Sequence, residues 1–191
     1  QNTSGAVYNT AVGNAAGFAV TTGVRNTIIG GLAGDGLTTA DDSTLVGYGA
    51  GGAAMTGHDN TAVGMDSLAA NTSGNLNTAV GKAAGAAVTT GVENTFIGGL
   101  AGDAVTTGGS NVAVGRASFT TNTKGNKNVA VGDATLAAFN VTTDTNTYNT
   151  AVGQAAGTAV TTGIQNTLIG AQAGDALTDA DRNVAVGLEA L

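Results

Sequence analysis

The chain has 191 residues and a net charge of -7, with 32 Gly, 31 Thr, four Phe, three Tyr and no Trp, Pro or Cys. Lacking Pro and a three-residue Gly period it is not collagen-like, and lacking Cys it has neither disulfides nor thiolate chemistry. Six Lys and Arg against thirteen Asp and Glu, with no basic run, make it a poor partner for nucleic acid or an anionic membrane, and its one His cannot supply a two-histidine metal site.

In chain order, residues 1–24 carry no charge but are too rich in Gly, Thr and Asn to be a membrane span of about twenty apolar residues. No initiator Met or signal-like segment precedes them, so the sequence reads as a segment of a longer chain. Residues 1–8 read as the tail of a preceding repeat, because Asn2-Thr3-Ser4-Gly5 parallels Asn71-Thr72-Ser73-Gly74. From there the motif Asn-Thr/Val-x-Val/Ile-Gly opens eleven rungs, at Asn9, Asn26, Ser43, Asn60, Asn77, Asn94, Asn111, Asn128, Asn149, Asn166 and Asn183. Every step is 17 residues except the 21 from Asn128 to Asn149, an insertion within Phe139–Tyr148. The rungs from Asn9, Asn77 and Asn149 are nearly identical, as are those from Asn26, Asn94 and Asn166, so a four-rung unit overlies the single rung. Residues 1–191 form one repeat domain.

Each rung predicts two short strands, Thr-x-Val at its start and Ala-Val-Thr-Thr later, because β-branched runs bounded by Gly and Asn are too short for helices. The fold class is all-β, a parallel β-roll or β-solenoid of 17-residue rungs. Rungs stacked about 4.8 Å apart give a rod on the order of 50 Å long. An Asn column can bond from turn to turn, and a Gly column can take the positive φ of a tight corner. All nineteen charged residues avoid rung positions one to five, eight, nine and eleven to thirteen. Such clear columns are expected of a packed solenoid and not of a disordered chain.

Position four is always Val or Ile and position three is Ala, Ile, Leu or Phe, so the first strand is apolar on both faces. Position four is expected to face the coil interior. Position three, with Ile28, Leu45, Phe96 and Leu168, is then expected to lie against another copy of the chain.

The rung NTAVGMDSLAANTSGNL (Asn60–Leu76), with the NTAVG, NTIIG and NVAVG motifs along essentially the whole chain, resembles the head repeats of trimeric autotransporter adhesins (YadA-like) and similar repeats of phage tail fibres. The resemblance implies a left-handed parallel β-roll, three chains about one axis, and surface attachment on a bacterial cell or virion. The expectation is an extracellular, non-enzymatic homotrimer without cofactor or membrane insertion of its own, whose partners are further copies of itself and a cell-surface, matrix or glycan receptor.

Other motifs read as structure. Gly47-Tyr48-Gly49-Ala50-Gly51-Gly52 fits a dinucleotide fingerprint, but the next rung follows where a helix is required. Asp35, Asp103 and Asp175 each follow a Gly and are weak candidate metal ligands, although successive ones stand about four rungs, or 19 Å, apart and suit ordinary Asp turns. His58 sits in a Gly-His-Asp corner without a nucleophile beside it. Insertions in solenoids often mark a binding face, which makes Asn140, Asp144, Asn146 and Tyr148 a candidate binding loop. Two further functions fit a regular rod: an ice-binding solenoid using Thr ladders, weakened by the adjacency of pairs such as Thr21-Thr22, and an inert fibre spacer.

Overall fold

The computed structural model describes residues 7–191, so the preceding-rung tail expected at Asn2–Gly5 lies outside the described residues. Those residues form an all-β parallel solenoid, with no helix among them. Eleven three-residue strands make one sheet: β1 (Thr10–Val12), β2 (Thr27–Ile29), β3 (Thr44–Val46), β4 (Thr61–Val63), β5 (Thr78–Val80), β6 (Thr95–Ile97), β7 (Val112–Val114), β9 (Val129–Val131), β11 (Thr150–Val152), β12 (Thr167–Ile169) and β13 (Val184–Val186). Neighbours pair in parallel in chain order, Thr10 against Thr27 at one end and Thr167 against Val184 at the other. At the insertion Val129 pairs with Thr150, so the longer step leaves the sheet in register.

A rung supplies one strand to this sheet, not the expected two; the Ala-Val-Thr-Thr stretches are turns and bends. Left-handed corners are the physical reason. In the rung from Asn94, Gly98, Leu100, Gly102 and Ser110 all have positive φ, at 129°, 62°, 58° and 56°. Backbone hydrogen bonds continue from rung to rung through these corners. Thr95, Gly102 and Thr106 donate forward to Asn111, Ser118 and Thr123 at 2.8 to 2.9 Å, while Gly98, Leu100 and Ser110 donate back to Val80, Lys82 and Val92 over the same range. The exception to the single strand lies at the insertion, where β8 (Gly125–Asn126) and β10 (Thr145–Asn146) form a second, two-stranded parallel pair.

The Gly at position five has no alternative. At Gly81 the φ is 136°, and a Cβ there would stand 2.5 Å from the carbonyl oxygen of Gly98 in the next rung. The Asn at position one is buried and ties successive rungs together. The Oδ1 of Asn94 accepts from the backbone N–H of Asn111 at 3.0 Å and from its Nδ2 at 3.2 Å, while Asn94 Nδ2 donates to the Gly108 carbonyl at 2.9 Å. Ser43 interrupts this ladder, and Asn60 reaches back to donate to the Gly57 carbonyl at 3.1 Å, the group that an Asn at position 43 would serve.

The assignment of the two strand faces is reversed from the expected one. Ile28, Leu45, Phe96 and Leu168 at position three are fully buried inside their own coil and cannot contact another copy. The Val and Ile of position four face outward. The interior is set by position one: residues one and three share a face, and the buried Asn ladder puts that face inside. Large residues at position three are matched by Gly at position nine, where a Cβ on Gly102 would meet the Phe96 ring at 2.5 Å. Where position three is Ala, as at Ala62, Ala113 and Ala130, position nine becomes Leu68, Phe119 and Leu136, all buried. A rung with both small, Ala79 and Gly85, is filled from its neighbours by Leu68 and Phe96.

Candidate assembly and adhesive surfaces

Outside the coil, the sheet presents two uncharged ranks. Position four is a continuous Val/Ile row from Val12 to Val186, with Ile29, Ile97 and Ile169 about 40% exposed in the interior of the stack. Beside it on the same face run the position-two residues, seven of which, Thr27, Thr44, Thr61, Thr78, Thr95, Thr150 and Thr167, make no side-chain hydrogen bond within the chain among the described residues. A row of ten interstrand spacings is about 48 Å long. It is an ordered apolar stripe, whereas a soluble surface ordinarily scatters such residues singly. The position-thirteen hydroxyls differ: Thr72, Thr89 and Thr106 donate to the carbonyls of Thr89, Thr106 and Thr123 at 3.0 to 3.2 Å. That ladder serves the backbone of the coil.

Two columns of variable residues border this face. The residue just before each Asn is in the left-handed region, from Tyr8 through Arg25, Asp42, Asp59, Leu76, Glu93, Ser110, Lys127, Tyr148 and Gln165 to Arg182. The residue just after each position-five Gly forms the other rim and includes Tyr48, Met65, Lys82, Arg116, Asp133 and Leu188. Within a rim, partners sit one rung apart. Arg25 donates to both oxygens of Asp42 at 2.5 and 2.6 Å, and this hydrogen bond, with the attraction of the charges, holds the Asp42 carboxyl below its ordinary range and raises the guanidinium. Arg116 pairs with Asp133 at 3.0 Å, Ser110 donates to Glu93 at 3.0 Å, and the Lys127 ammonium lies 5.5 Å from the centre of the Tyr148 ring.

The insertion does not form a detached loop. Asn140 is half-buried, and its Oδ1 accepts from the Thr123 amide at 3.2 Å and hydroxyl at 3.1 Å, which makes it a coil contact. Asp144, Asn146 and Tyr148 are exposed, as are Thr142 and Thr143. Asp144 accepts from the Thr107 hydroxyl at 3.4 Å, and the buried Thr147 hydroxyl donates to Asn128 Oδ1 at 2.8 Å, so the segment is pinned at both sides of its exposed crest.

Asp35, Asp103 and Asp175 stand singly on separate rungs, all half-buried, and no group of three or more acidic or His residues converges as a metal-binding set among the described residues. One carboxylate oxygen of Asp103 is buried without a partner, and burial raises its pKa against the opposing pull of the backbone N–H groups of Asp103 and Ala104. His58 is exposed, and its Nδ1 accepts the Asp41 backbone N–H at 3.0 Å. The Gly47–Gly52 segment runs through a turn into the next rung. A concavity of about 290 Å³ at the first rung is lined by Tyr8, Asn9, Ala11, Ala16, Gly17, Val20 and Ile28, none of them a carboxylate, amine or imidazole.

No protein family, curated protein or solved structure matches the chain. The surface that the sequence reading missed is the outer face of positions two and four. Its signal was present in the uniform size of position four, since a row that never varies has no rung-specific neighbours to fit.

Proposed function

We propose that this chain is a structural and adhesive segment of a trimeric surface adhesin or viral tail fibre, a left-handed coil that presents repeated turns to a host or surface receptor. The observation that carries this reading is the outward-facing Val/Ile row of position four, unbroken over eleven rungs and at least partly exposed in each. It takes over the assembly role first expected of position three. Packing such rows about a common axis removes them from water and leaves the turns at positions nine to sixteen outside. The likeness of the NTAVG motifs to adhesin-head repeats supports the same reading. Adhesion would then come from many weak contacts made together, with the exposed crest of Thr142, Thr143 and Asp144 as the first candidate contact.

Light scattering tests the assembly. A mass of three 18.2 kDa chains is expected, and a mass of 18.2 kDa overturns it. Binding to cells, matrix proteins and glycans tests the adhesion. Deleting Val141–Asp144 should abolish attachment while preserving the assembled mass; unchanged attachment removes the crest from the binding site, and no attachment by the intact chain leaves a fibre spacer.

One observation favours a second reading, ice binding. The unpartnered Thr hydroxyls of position two stand in a rank on the outer face of the sheet, five of them, Thr27, Thr44, Thr61, Thr78 and Thr95, on consecutive rungs. This requires the face to be open to water, so a monomer with thermal hysteresis would establish it in place of the fibre.

A further inference from the structure

We infer that Asn140 is an acceptor site for an N-linked sugar, at a place where the folded coil can carry one. This is independent of the assembly proposed above.

The acceptor motif is Asn-x-Ser/Thr with x other than Pro. The chain holds it at Asn2-Thr3-Ser4, outside the described residues, at Asn71-Thr72-Ser73 and at Asn140-Val141-Thr142. The Asn ladder cannot supply it, because the third position of a rung fills the interior and is always Ala, Ile, Leu or Phe. Position thirteen, Thr in most rungs, is Asn only at 140, in the rung that carries the insertion.

The coil treats the two described sites differently. Asn71 is fully buried: its Oδ1 accepts the Gly74 N–H at 2.9 Å, and its Nδ2 donates to the Gly74 carbonyl at 3.0 Å beside the buried Met55 sulfur. A substituent on that nitrogen would displace Met55 and open the corner. Asn140 is half-buried and uses only its oxygen, which accepts from the Thr123 amide and hydroxyl. Its Nδ2 makes no hydrogen bond among the described residues. Nor is it buried, since Asp103 Oδ1 is the one buried side-chain polar atom left without a partner there, so the Asn140 nitrogen meets water. Thr142, which completes the motif, is exposed.

The transfer joins Asn140 Nδ2 to the anomeric carbon of a nucleoside diphosphate sugar. The bond from that carbon to the donor's phosphate oxygen breaks, and the amide gives up one proton as the nucleoside diphosphate leaves; a separate glycosyltransferase provides the catalysis. The product keeps the Asn140 carbonyl oxygen and one N–H, so both bonds from Thr123 survive. The sugar then stands beside the crest of Thr142, Thr143 and Asp144 and enlarges the surface that the insertion shows to solvent.

Trypsin separates the two sites, into the peptides Asn26–Lys82 and Asn128–Arg182. In the chain recovered from the cells that make it, mass spectrometry should find a sugar on the second peptide and none on the first. An unmodified second peptide, or a sugar on Asn71, overturns the inference. A chain synthesised in the presence of an N-glycosyltransferase specific for the motif and a nucleoside diphosphate hexose tests the fit. Its folded fraction should carry hexose on Asn140 at least tenfold more often than on Asn71, with the unfolding midpoint of the unmodified chain. Thr142→Ala should remove the hexose and Thr142→Ser should keep it, both with the coil intact. A lowered midpoint, equal occupancy of Asn71, or hexose retained in Thr142→Ala overturns the assignment.

Discussion

At the scale of the residue, the Asn ladder is the clearest link between a sequence column and a stabilising force. The Asn111 amide donates to the Gly125 carbonyl and has Asn94 as a second acceptor, while Asn94 also satisfies two buried groups that have no other partner, the Asn111 N–H and the Gly108 carbonyl. Asn94→Ala leaves them unpaired at about 1 to 3 kcal/mol each, partly relieved by relaxation, so urea unfolding should show a loss on the order of 3 kcal/mol. Ser43 gives the reverse case. Its hydroxyl accepts the Asn60 N–H at only 3.3 Å, and Ser43→Asn should raise stability by about 1 kcal/mol, seen as a higher unfolding midpoint. A lower midpoint would mean that the Ser43 rung cannot take the ladder geometry of its neighbours. Charge acts at this scale in two directions. The depressed Asp42 carboxyl gives its pairing with Arg25 in full above the unfolded-state pKa, and that pairing is lost as pH falls through the folded value. Asp103 runs the other way: its raised pKa favours the neutral form in the folded state, so its ionisation costs stability as pH rises through the folded value. Asp103→Ala, matching the Ala86 and Ala137 of the same column, should stabilise by up to about 0.5 kcal/mol at neutral pH, and the gain should vanish below the carboxylate range. A gain independent of pH would place its origin in packing.

At the scale of the element, a rung is a corner-bounded strand whose filling is shared with its neighbours. Phe96 lies over Gly102 and also reaches Gly85 in the preceding rung, so Phe96→Ala should cost about 3 to 5 kcal/mol through the cavity left behind. Gly102→Leu alone should clash with the ring. The double variant reproduces the Ala-and-Leu arrangement of the Asn60 and Asn128 rungs, whose Leu68 and Leu136 take the same left-handed corner at φ 48° and 49°. It should recover more than about 1 kcal/mol relative to the sum of the singles. Additive losses would show that positions three and nine are filled independently. This exchange was written in the sequence, because every rung that enlarges position nine keeps Ala at position three, and it would have identified position three as interior. Strand alternation told only that positions three and four lie on opposite faces. Uniform apolarity at position four resembles a core pattern, although the feature that distinguishes this interior is compensating size. The stack, its 17-residue register and the Asn and Gly columns were legible because each rests on one residue type with one backbone requirement. Val-Thr-Thr has strand propensity but forms no second strand here, and the left-handed corners at positions seven and seventeen, often filled by Ala, Leu, Glu or Lys, carry no sequence mark.

At the scale of the whole molecule, strand contacts among the described residues run between adjacent rungs, apart from side-chain reaches such as the Thr107–Asp144 hydrogen bond that spans two, so the sides of the rod carry the chemistry. Which side is covered by another copy can be decided by two neighbouring residues of β5. Val80 points outward and is half-exposed, whereas Ala79 is fully buried. Val80→Asp should cost the single coil no more than about 1 kcal/mol, because the carboxylate stays in water, and the far-ultraviolet circular dichroism should be unchanged. In the assembly the same carboxylate would enter an apolar contact between copies, at a desolvation cost that it cannot offset by pairing there. The expected result is a folded chain whose mass falls to 18.2 kDa. Ala79→Asp places the charge inside the coil, and loss of the β spectrum should accompany loss of assembly. If Val80→Asp keeps the assembled mass, the strand face is open to water and the ice-binding reading gains; if it unfolds like Ala79→Asp, position four supports the coil itself and the stripe is not an interface.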